Sequence, residues 1–448
     1  MAVNVGIIGF GTVGAGTAEV LIRNRDLIKK RIGEEIKIKR IADLDIERDR
    51  GVPIDRSILT KDAMEIIEDP DIHIVAELIG GTTTAKELII SAMQKGKHVV
   101  TANKALLAEH GKEIYESARR YGVWLGFEAS VAGGIPIIGV LKKGLAANKI
   151  CSVLGILNGT SNYILTRMKK QGLTYKEVVS EAVQLGIAED PPTLDVDGTD
   201  AAHKLAIIVA LMVGFPVDYR DIYKEGITEI TPDDIRFSDE FGYTIKLLAI
   251  ARHHENRVEA RVHPAMIPKE SILANVDEVF NAIYVEGDFV GPNLYYGLGA
   301  GRKPTGSAVA SDIISLARYI IGGQSHLTSP LGFNCAPDEA LRIQPMEELK
   351  SRYYFRVSAV DRPGVLSSIS GILGKHGISI ESVIQKGRRK KENDSVPIVM
   401  LTHEAIERDV RRAISEIDKL DVVKDKTVVI RVLTLPRLKP WDSRFNEG

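Results

Sequence analysis

Apolar residues from Val3 to Ile8 form a short β-forming run that passes into Gly9-Phe10-Gly11-Thr12-Val13-Gly14, then into apolar positions at helical spacing through Ala18, Val20, Leu21 and Leu27. The alternation continues, with strands expected at Ile36 to Ala42, His73 to Leu78, His98 to Ala102 and Val123 to Phe127. Strands separated by helical stretches point to parallel βα units, so residues 1–135 read as a doubly wound α/β domain. A different pattern follows. Ile150 to Leu157 is strand-like and ends in the polar turn Asn158-Gly159-Thr160-Ser161-Asn162, and a helix opening near Asp200 is apolar nearly all round, which predicts burial. Ile227 to Tyr296 reads as strands such as Arg257 to Val262 between helices such as Tyr243 to Ala251, an α+β plan for residues 136–308. Helix Val309 to Ile321 returns the chain to the first domain.

Periodicity is lost between Pro330 and Lys350, which reads as a linker. Strand Tyr353 to Val360, a helix to His376, strands Ile378 to Gln385 and Ser395 to Thr402, helix Ala405 to Asp418 and strand Thr427 to Val432 then give a βαββαβ order, the ferredoxin-like plan, over 353–434. The charged run Lys386 to Asp394 reads as a solvated hairpin loop and residues 436–448 as a mobile tail.

Composition narrows the function. At 448 residues the chain has length for about two to four domains with their own cores. A net charge of -1 gives no attraction to a polyanion, which argues against nucleic acid. Two distant cysteines, Cys151 and Cys335, have no metal-ligand spacing and fit a reducing compartment. With no basic leader and no run long enough to span a bilayer, the chain reads as an unprocessed cytoplasmic protein that does not enter membranes.

Candidate chemistry begins at the glycine turn. Between a strand and a helix, Gly9 permits the tight turn, Gly11 lets the amides of Phe10, Thr12 and Val13 approach a pyrophosphate, and Gly14 allows close helix packing. A dinucleotide is therefore expected. The second strand ends Arg40-Ile41-Ala42-Asp43; Asp43 suits the ribose of NAD, while Arg40, Arg48 and Arg50 suit the 2′-phosphate of NADP, and the preference stays open. Two loops at strand ends, Ile79 to Thr84 and Thr101-Ala102-Asn103-Lys104, lie at the edge where such folds bind ligands.

The richest stretch runs from Gly186 to Lys204, a proline-stiffened acidic loop feeding the buried helix. Asp200 and Lys204 are four residues apart and share a helix face. They form either a structural ion pair or a fixed proton donor beside a substrate. Glu128 to Pro136, a glycine turn with an acid and several carbonyls, is either a domain hinge or an oxygen-lined cation site. Asn158 and Thr160 either cap a helix or face a ligand.

These motifs in order, with Thr-Ala-Asn-Lys at 101–104, Glu-Ala-Ser-Val-Ala-Gly-Gly-Ile-Pro at 128–136, Asn-Gly-Thr-Ser-Asn at 158–162 and Asp195-Val196-Asp197-Gly198-Thr199-Asp200 through Lys204, resemble homoserine dehydrogenase over residues 1–325. The chain departs from the family pattern at Pro191, which precedes Pro192 where an Asp, Asn or Ser is usual. The resemblance implies NAD(P)-dependent interconversion of L-homoserine and L-aspartate 4-semialdehyde on the route to threonine and methionine. It implies a catalytic set of Lys204, Asp200 and Lys104 in which both lysines assist proton transfer; a lysine on a buried helix oriented by Asp200 makes Lys204 the preferred donor over Lys104. Glu189 and Asp195 would hold the substrate ammonium, with Lys104 on a substrate oxygen and Asn158 and Thr160 nearby. Thr101, Lys104, Gly186 and Gly306 would join the cofactor site, and Glu128, Val131, Gly133 and Ile135 a structural Na+ site. Asp361-Arg362-Pro363-Gly364-Val365-Leu366 and Gly377-Ile378-Ser379-Ile380 resemble an ACT domain, which implies feedback by an amino acid such as threonine and a homodimer or homotetramer.

Two rivals remain. An aldehyde-oxidising enzyme would need a cysteine nucleophile, but Cys151 opens an apolar strand with no histidine near it. A non-catalytic sensor of dinucleotide and amino acid would tolerate loss of Lys204.

Overall fold

The computed structural model describes residues 2–323, 329–335, 341–385 and 395–434. The run Lys386 to Asp394 and the tail from 436 lie outside the described residues. Six strands make the first sheet: β1 (Val3–Ile8), β2 (Ile36–Ala42), β3 (Leu59–Thr60), β4 (Ile74–Glu77), β5 (His98–Thr101) and β6 (Leu125–Gly126), all parallel in the order β3-β2-β1-β4-β5-β6. β1 and β4 are almost wholly buried, as strands covered by helices on both faces must be, hence their continuous apolar runs. The order reverses between β1 and β4, and the crevice at that point lies over the glycine turn.

Helix Arg302–Ile321 crosses back and packs on the first helix, Thr12–Arg23, as expected. The approach is close because both helices carry glycine at the crossing. A Cβ on Gly16 would lie 2.1 Å from the Arg302 carbonyl oxygen, and one on Gly306 2.5 Å from the Gly16 carbonyl carbon.

A mainly antiparallel sheet carries the second region: β7 (Ile150–Ile156), the short β8 (Tyr223–Lys224), β9 (Tyr243–His253), β10 (Arg257–Pro268), β11 (Phe280–Gly287) and β12 (Gly291–Leu298), in the path β12-β11-β7-β9-β10. The helix expected over Tyr243 to Ala251 is instead β9, at the centre of this sheet. Eight consecutive residues of it, Thr244 to Ala251, are buried on both faces, so the period of two that marks a strand is absent from its sequence. Helices Gly159–Gln171, Tyr175–Gln184, Thr199–Val213 and Pro232–Glu240 belong to the same region. Side chains from all four, among them Ile164, Val178, Ile207 and Phe237, join Val153, Ala249 and Val262 of the sheet in one apolar core. Every residue of Thr199–Val213 is buried.

The third region adds β13 (Arg342–Ile343), β14 (Lys350–Val360), β15 (Ile380–Gln385), β16 (Ser395–Thr402), β17 (Ala405–Ile406) and β18 (Val428–Val432), with helices Val365–Lys375 and Glu407–Ile417. Four strands in the order β18-β14-β16-β15 make the ferredoxin-like unit. Ala405 and Ile406 pair with β14, so the helix expected from Ala405 starts at Glu407. Two details lay beyond the sequence: β13, inside the stretch read as linker, pairs with β10, and β18 also pairs with β10, Ala265 opposite Arg431 and Met266 opposite Val432. The C-terminal unit thus continues the sheet of the second region.

Candidate active site

Two helices from different regions point their first turns at one carboxylate. Lys104 opens helix Lys104–Arg120 directly after β5, where Asn103 caps it by accepting from the Leu106 amide. Asp200 and Lys204 lie one turn apart at the start of the buried helix. Lys204 Nζ sits 2.7 Å from Asp200 Oδ2 and donates to the Leu157 carbonyl at 2.6 Å, while Lys104 Nζ is 3.1 Å from Asp200 Oδ1. Asn158 ties the acidic loop to this pair, its amide nitrogen donating to Asp200 at 2.9 Å and to Asp195 at 2.7 Å while its carbonyl oxygen accepts from the Ser161 amide.

The environments of the two lysines differ, and so do their acidities. Burial pulls the Lys204 ammonium below its ordinary value of 10.5; Lys104 nearby adds to that fall and Asp200 opposes it. Lys104 moves the other way: the Asp200 carboxylate, aided by Asp195 and Glu189, raises it against burial. Burial would push the Asp200 carboxyl up, but the ammonium groups of Lys204 and Lys104 and the bonds from Lys204 and Asn158 hold it well below the carboxylate range. The cluster therefore contains one fixed anion, one cation that keeps its proton and one that releases it more readily.

At the glycine turn the residues fit a dinucleotide. Gly9 has φ +100° and a Cβ there would lie 2.6 Å from Leu78, and a Cβ on Gly14 would lie 2.0 Å from the Gly9 carbonyl oxygen. Gly11, by contrast, faces open space. Asp43 accepts from the Phe10 amide at 2.5 Å, with Arg50 at 3.5 Å; Arg40 is paired with Glu65 at 2.5 Å. Arg50 is thus the arginine beside Asp43. Thr101 turns inward, its hydroxyl donating to Glu77 at 2.7 Å.

The turn at 128–136 packs against the loop before helix Arg302–Ile321: the Gly134 amide donates to Leu298, and a Cβ on Gly133 would lie 2.5 Å from the Gly299 carbonyl oxygen. Glu128 accepts from the Ile138 and Gly139 amides, and burial with the neighbouring Asp312 pushes its acid up to about 7. Ala132 and Gly133 both have φ +52°. Among the described residues nothing donates to the Val131 or Gly133 carbonyl.

Of the expected residues, Lys104, Asn158, Asp195, Asp200 and Lys204 meet in one hydrogen-bonded cluster. Glu189 is exposed on the loop above it, and Thr160 donates to the Ile187 carbonyl just after Gly186, whose φ of +69° follows helix Tyr175–Gln184. Gly306 serves the helix crossing described above. The Asp190–Pro191 peptide is cis. Glu77 was missed: buried at the end of β4, it accepts from Thr101 and from the Ile79 amide and so joins the two loops at the sheet edge. The signal was available, since Ile-Val-Ala-Glu places one acid in an apolar strand. Cys151 is not a nucleophile in waiting: burial, followed by Asp288 and Glu286, raises its thiol. Among the described residues no group of three or more His, Cys, Asp or Glu could hold a metal ion, and no helix is long and apolar enough to cross a membrane.

The homoserine dehydrogenase family profile matches residues 136–314, the homoserine dehydrogenase NAD binding domain profile residues 9–128 and the ACT domain profile residues 353–422. A homoserine dehydrogenase of Neisseria gonorrhoeae is 46% identical over 433 residues, 97% of this chain and 99% of that protein. The crystal structure of a homoserine dehydrogenase from Thiobacillus denitrificans superposes with a TM-score of 0.90 at 44% identity, covering 97% of this chain and 98% of that one. A hyperthermophilic archaeal homoserine dehydrogenase in complex with NADPH has a TM-score of 0.60 at 27% identity, covering 70% of this chain and 98% of that one.

Proposed function

The chain belongs to the homoserine dehydrogenase family, and on that premise we propose that Lys204 is the proton donor and acceptor in its reaction. As an NAD(P)-dependent oxidoreductase it interconverts L-aspartate 4-semialdehyde and L-homoserine, which leaves no place for the sensor reading. The observation that carries the assignment is the shared carboxylate: Asp200 holds two lysines, and only the buried one has a lowered pKa. Bound NAD(P) supplies or accepts the hydride. Lys204 commits two of its three N–H groups to Asp200 and Leu157, which leaves the third for the substrate oxygen. In reduction it gives that oxygen a proton; in oxidation neutral Lys204 takes the proton back. Lys104, which keeps its charge, holds a substrate oxygen, and Asp195 with Glu189 holds the substrate ammonium.

The native chain should oxidise NAD(P)H when L-aspartate 4-semialdehyde is added, and Asp195→Asn should raise the KM for the aldehyde about tenfold by removing one charged contact. An inert native chain, or a KM unmoved in the variant, would reject the substrate-side assignment.

Asp43, held by the Phe10 amide, supports use of NAD, and Arg50 beside it leaves room for NADP. The Val131 and Gly133 carbonyls, which accept no hydrogen bond among the described residues, support with Glu128 and Ile135 of the same turn a structural sodium ion, because buried carbonyls without donors are costly. Threonine is the proposed effector, at a cleft of about 320 Å³ lined by Asp361, Arg362, Gly364 and Gln385; it should slow the native enzyme and not Asp361→Ala. Tyr296 and Leu298, exposed on the edge strand β12, support assembly as a homodimer or homotetramer.

A further inference from the structure

One side chain of the C-terminal unit reaches past its own core into the catalytic region. Arg431, on β18, is 4% exposed. It donates to Glu407 at 2.5 and 3.0 Å, to Glu225 at 2.6 Å and to the Tyr223 hydroxyl at 3.3 Å, and its guanidinium stands 5.2 Å from the centre of the Tyr223 ring. Glu407 opens helix Glu407–Ile417, so the arginine joins a helix of the C-terminal unit to the strand Tyr223–Lys224.

The strip from Tyr223 to Ile227 holds the acidic loop on its other side. Lys224 donates to the Thr199 hydroxyl at 2.5 Å and is 3.2 Å from Asp197. The Ile227 amide donates to the Val196 carbonyl at 2.9 Å. Gly226 has no room for a side chain, since a Cβ would lie 2.2 Å from the Val196 carbonyl oxygen and 2.7 Å from Asp197 Cα. Asp197 in turn accepts from the Thr199 amide, and Thr199 is the first residue of the helix that carries Asp200 and Lys204. Polar contacts therefore run from Glu407 through Arg431 to Glu225 and from Lys224 to Thr199 and Asp197, and the backbone joins Glu225 to Lys224 and Thr199 to Asp200 of the reacting pair.

We infer that Lys224 and Arg431 are positioning residues for the reaction, and that the C-terminal unit fixes the placement of Asp195 and Asp200 through this bracket. The inference rests on the site assigned above. A functional side chain is only as well placed as the packing and hydrogen bonds that lock it, and the acidic loop otherwise meets the substrate region from an exposed, proline-rich approach.

The same unit has a second polar anchor that makes no such connection. Arg356 of β14 binds Asp234 at 2.6 and 3.0 Å and Thr231 at 3.3 Å, and Tyr354 donates to Asp234 at 3.1 Å. Those residues hold the unit to helix Pro232–Glu240, and among the described residues no hydrogen bond runs from Asp234 or Thr231 to the acidic loop. Arg356→Met is thus a docking variant with the bracket intact.

The test compares Lys224→Met, Arg431→Met and Arg356→Met in the full chain by steady-state kinetics with L-aspartate 4-semialdehyde and by amide hydrogen exchange at Asp197 to Ala202. Lys224→Met and Arg431→Met should each raise the KM for the aldehyde about tenfold, the loss of one charged hydrogen bond, and speed exchange of those amides by a similar factor. The KM for NAD(P)H should not move in either. Arg356→Met should lower the melting temperature and leave KM and loop exchange at native values. The inference is overturned if Lys224→Met leaves loop exchange unchanged, or if Arg356→Met reproduces the rise in KM. Lys224→Met keeps every contact of Arg431 and so tests the Lys224 side of the bracket alone. If Arg431→Met does not fold, Glu225→Gln, which removes the charge facing Arg431, takes its place with the same expected changes, and native KM and loop exchange in it overturn the role of the C-terminal unit. Exchange reports on the bracket without any substrate, so its result is separate from failure of the proposed reaction.

Discussion

Replacing Asp200 by asparagine preserves shape and removes the one negative charge that two ammonium groups share. Asp200 and Lys204 are 7% and 8% exposed, and the carboxylate oxygen lies 2.7 Å from Lys204 Nζ. Removing one partner of a buried pair leaves the other uncompensated and costs about 3–5 kcal/mol. Lys204 recovers part of that by shedding its proton, since burial already lowers its pKa and Asp200 is the chief influence raising it. Asp200→Asn should therefore lose about 3 kcal/mol at neutral pH and less at alkaline pH, where neutral Lys204 needs no partner. The acid side has the opposite sign. The folded pKa of Asp200 is depressed from 3.8, so its contribution is present above that pH and lost as pH falls through the folded value, in the native chain only. Adding Lys204→Met to Asp200→Asn should restore most of the stability, because that buried ammonium is gone, and none of the turnover. Denaturant titrations at neutral and alkaline pH, with initial rates on the same samples, measure all of this. A single variant within about 1 kcal/mol of the native chain, or a double variant weaker than the single, would refute the reasoning.

Aldehyde reduction should decline as pH rises through the pKa of Lys204, below 10.5, and homoserine oxidation should increase over the same interval; a limb above 10.5 in a pH–rate profile would transfer the proton step to Lys104, whose pKa is raised. Gly306→Val should cost about 1–3 kcal/mol by overpacking against the Gly16 backbone and weaken NAD(P)H binding through the displaced first helix, readable by thermal melts and cofactor titration. Native values in both would mean that the helices have slack at their crossing. Sodium should raise the melting temperature relative to an equal concentration of choline, and equal melting temperatures in the two salts would remove the cation from the 128–136 turn.

Sequence legibility followed the range of the interactions. β1, the glycine turn and β2 were readable because their determinants lie within a few residues, and β1 and β2 have the expected bounds. The spacing of Asp200 and Lys204 gave their contact for the same reason, since residues four apart on a helix are neighbours. β9 was misread because complete burial erases the alternation that distinguishes a strand from a helix. The pairing of β18 with β10 was out of reach, because it depends on register between Ala265 and Arg431, with no local signal in either strand. Lys104 on Asp200 is also a long-range contact with no local signal; the family resemblance put Lys104 at the site, but on a substrate oxygen. Asn158 was open between cap and ligand, and the structure gives it the capping role through its oxygen and a bond to the acids through its nitrogen.

The central claim is that one lysine moves the proton and the other holds the substrate. Lys204→Met and Lys104→Met, assayed side by side with saturating NAD(P)H and varied L-aspartate 4-semialdehyde, separate the two roles. Lys204→Met should lower kcat by about 10²–10⁴ with KM little changed, and Lys104→Met should raise KM more than it lowers kcat. Native kcat in Lys204→Met, or the two patterns exchanged, would contradict the account.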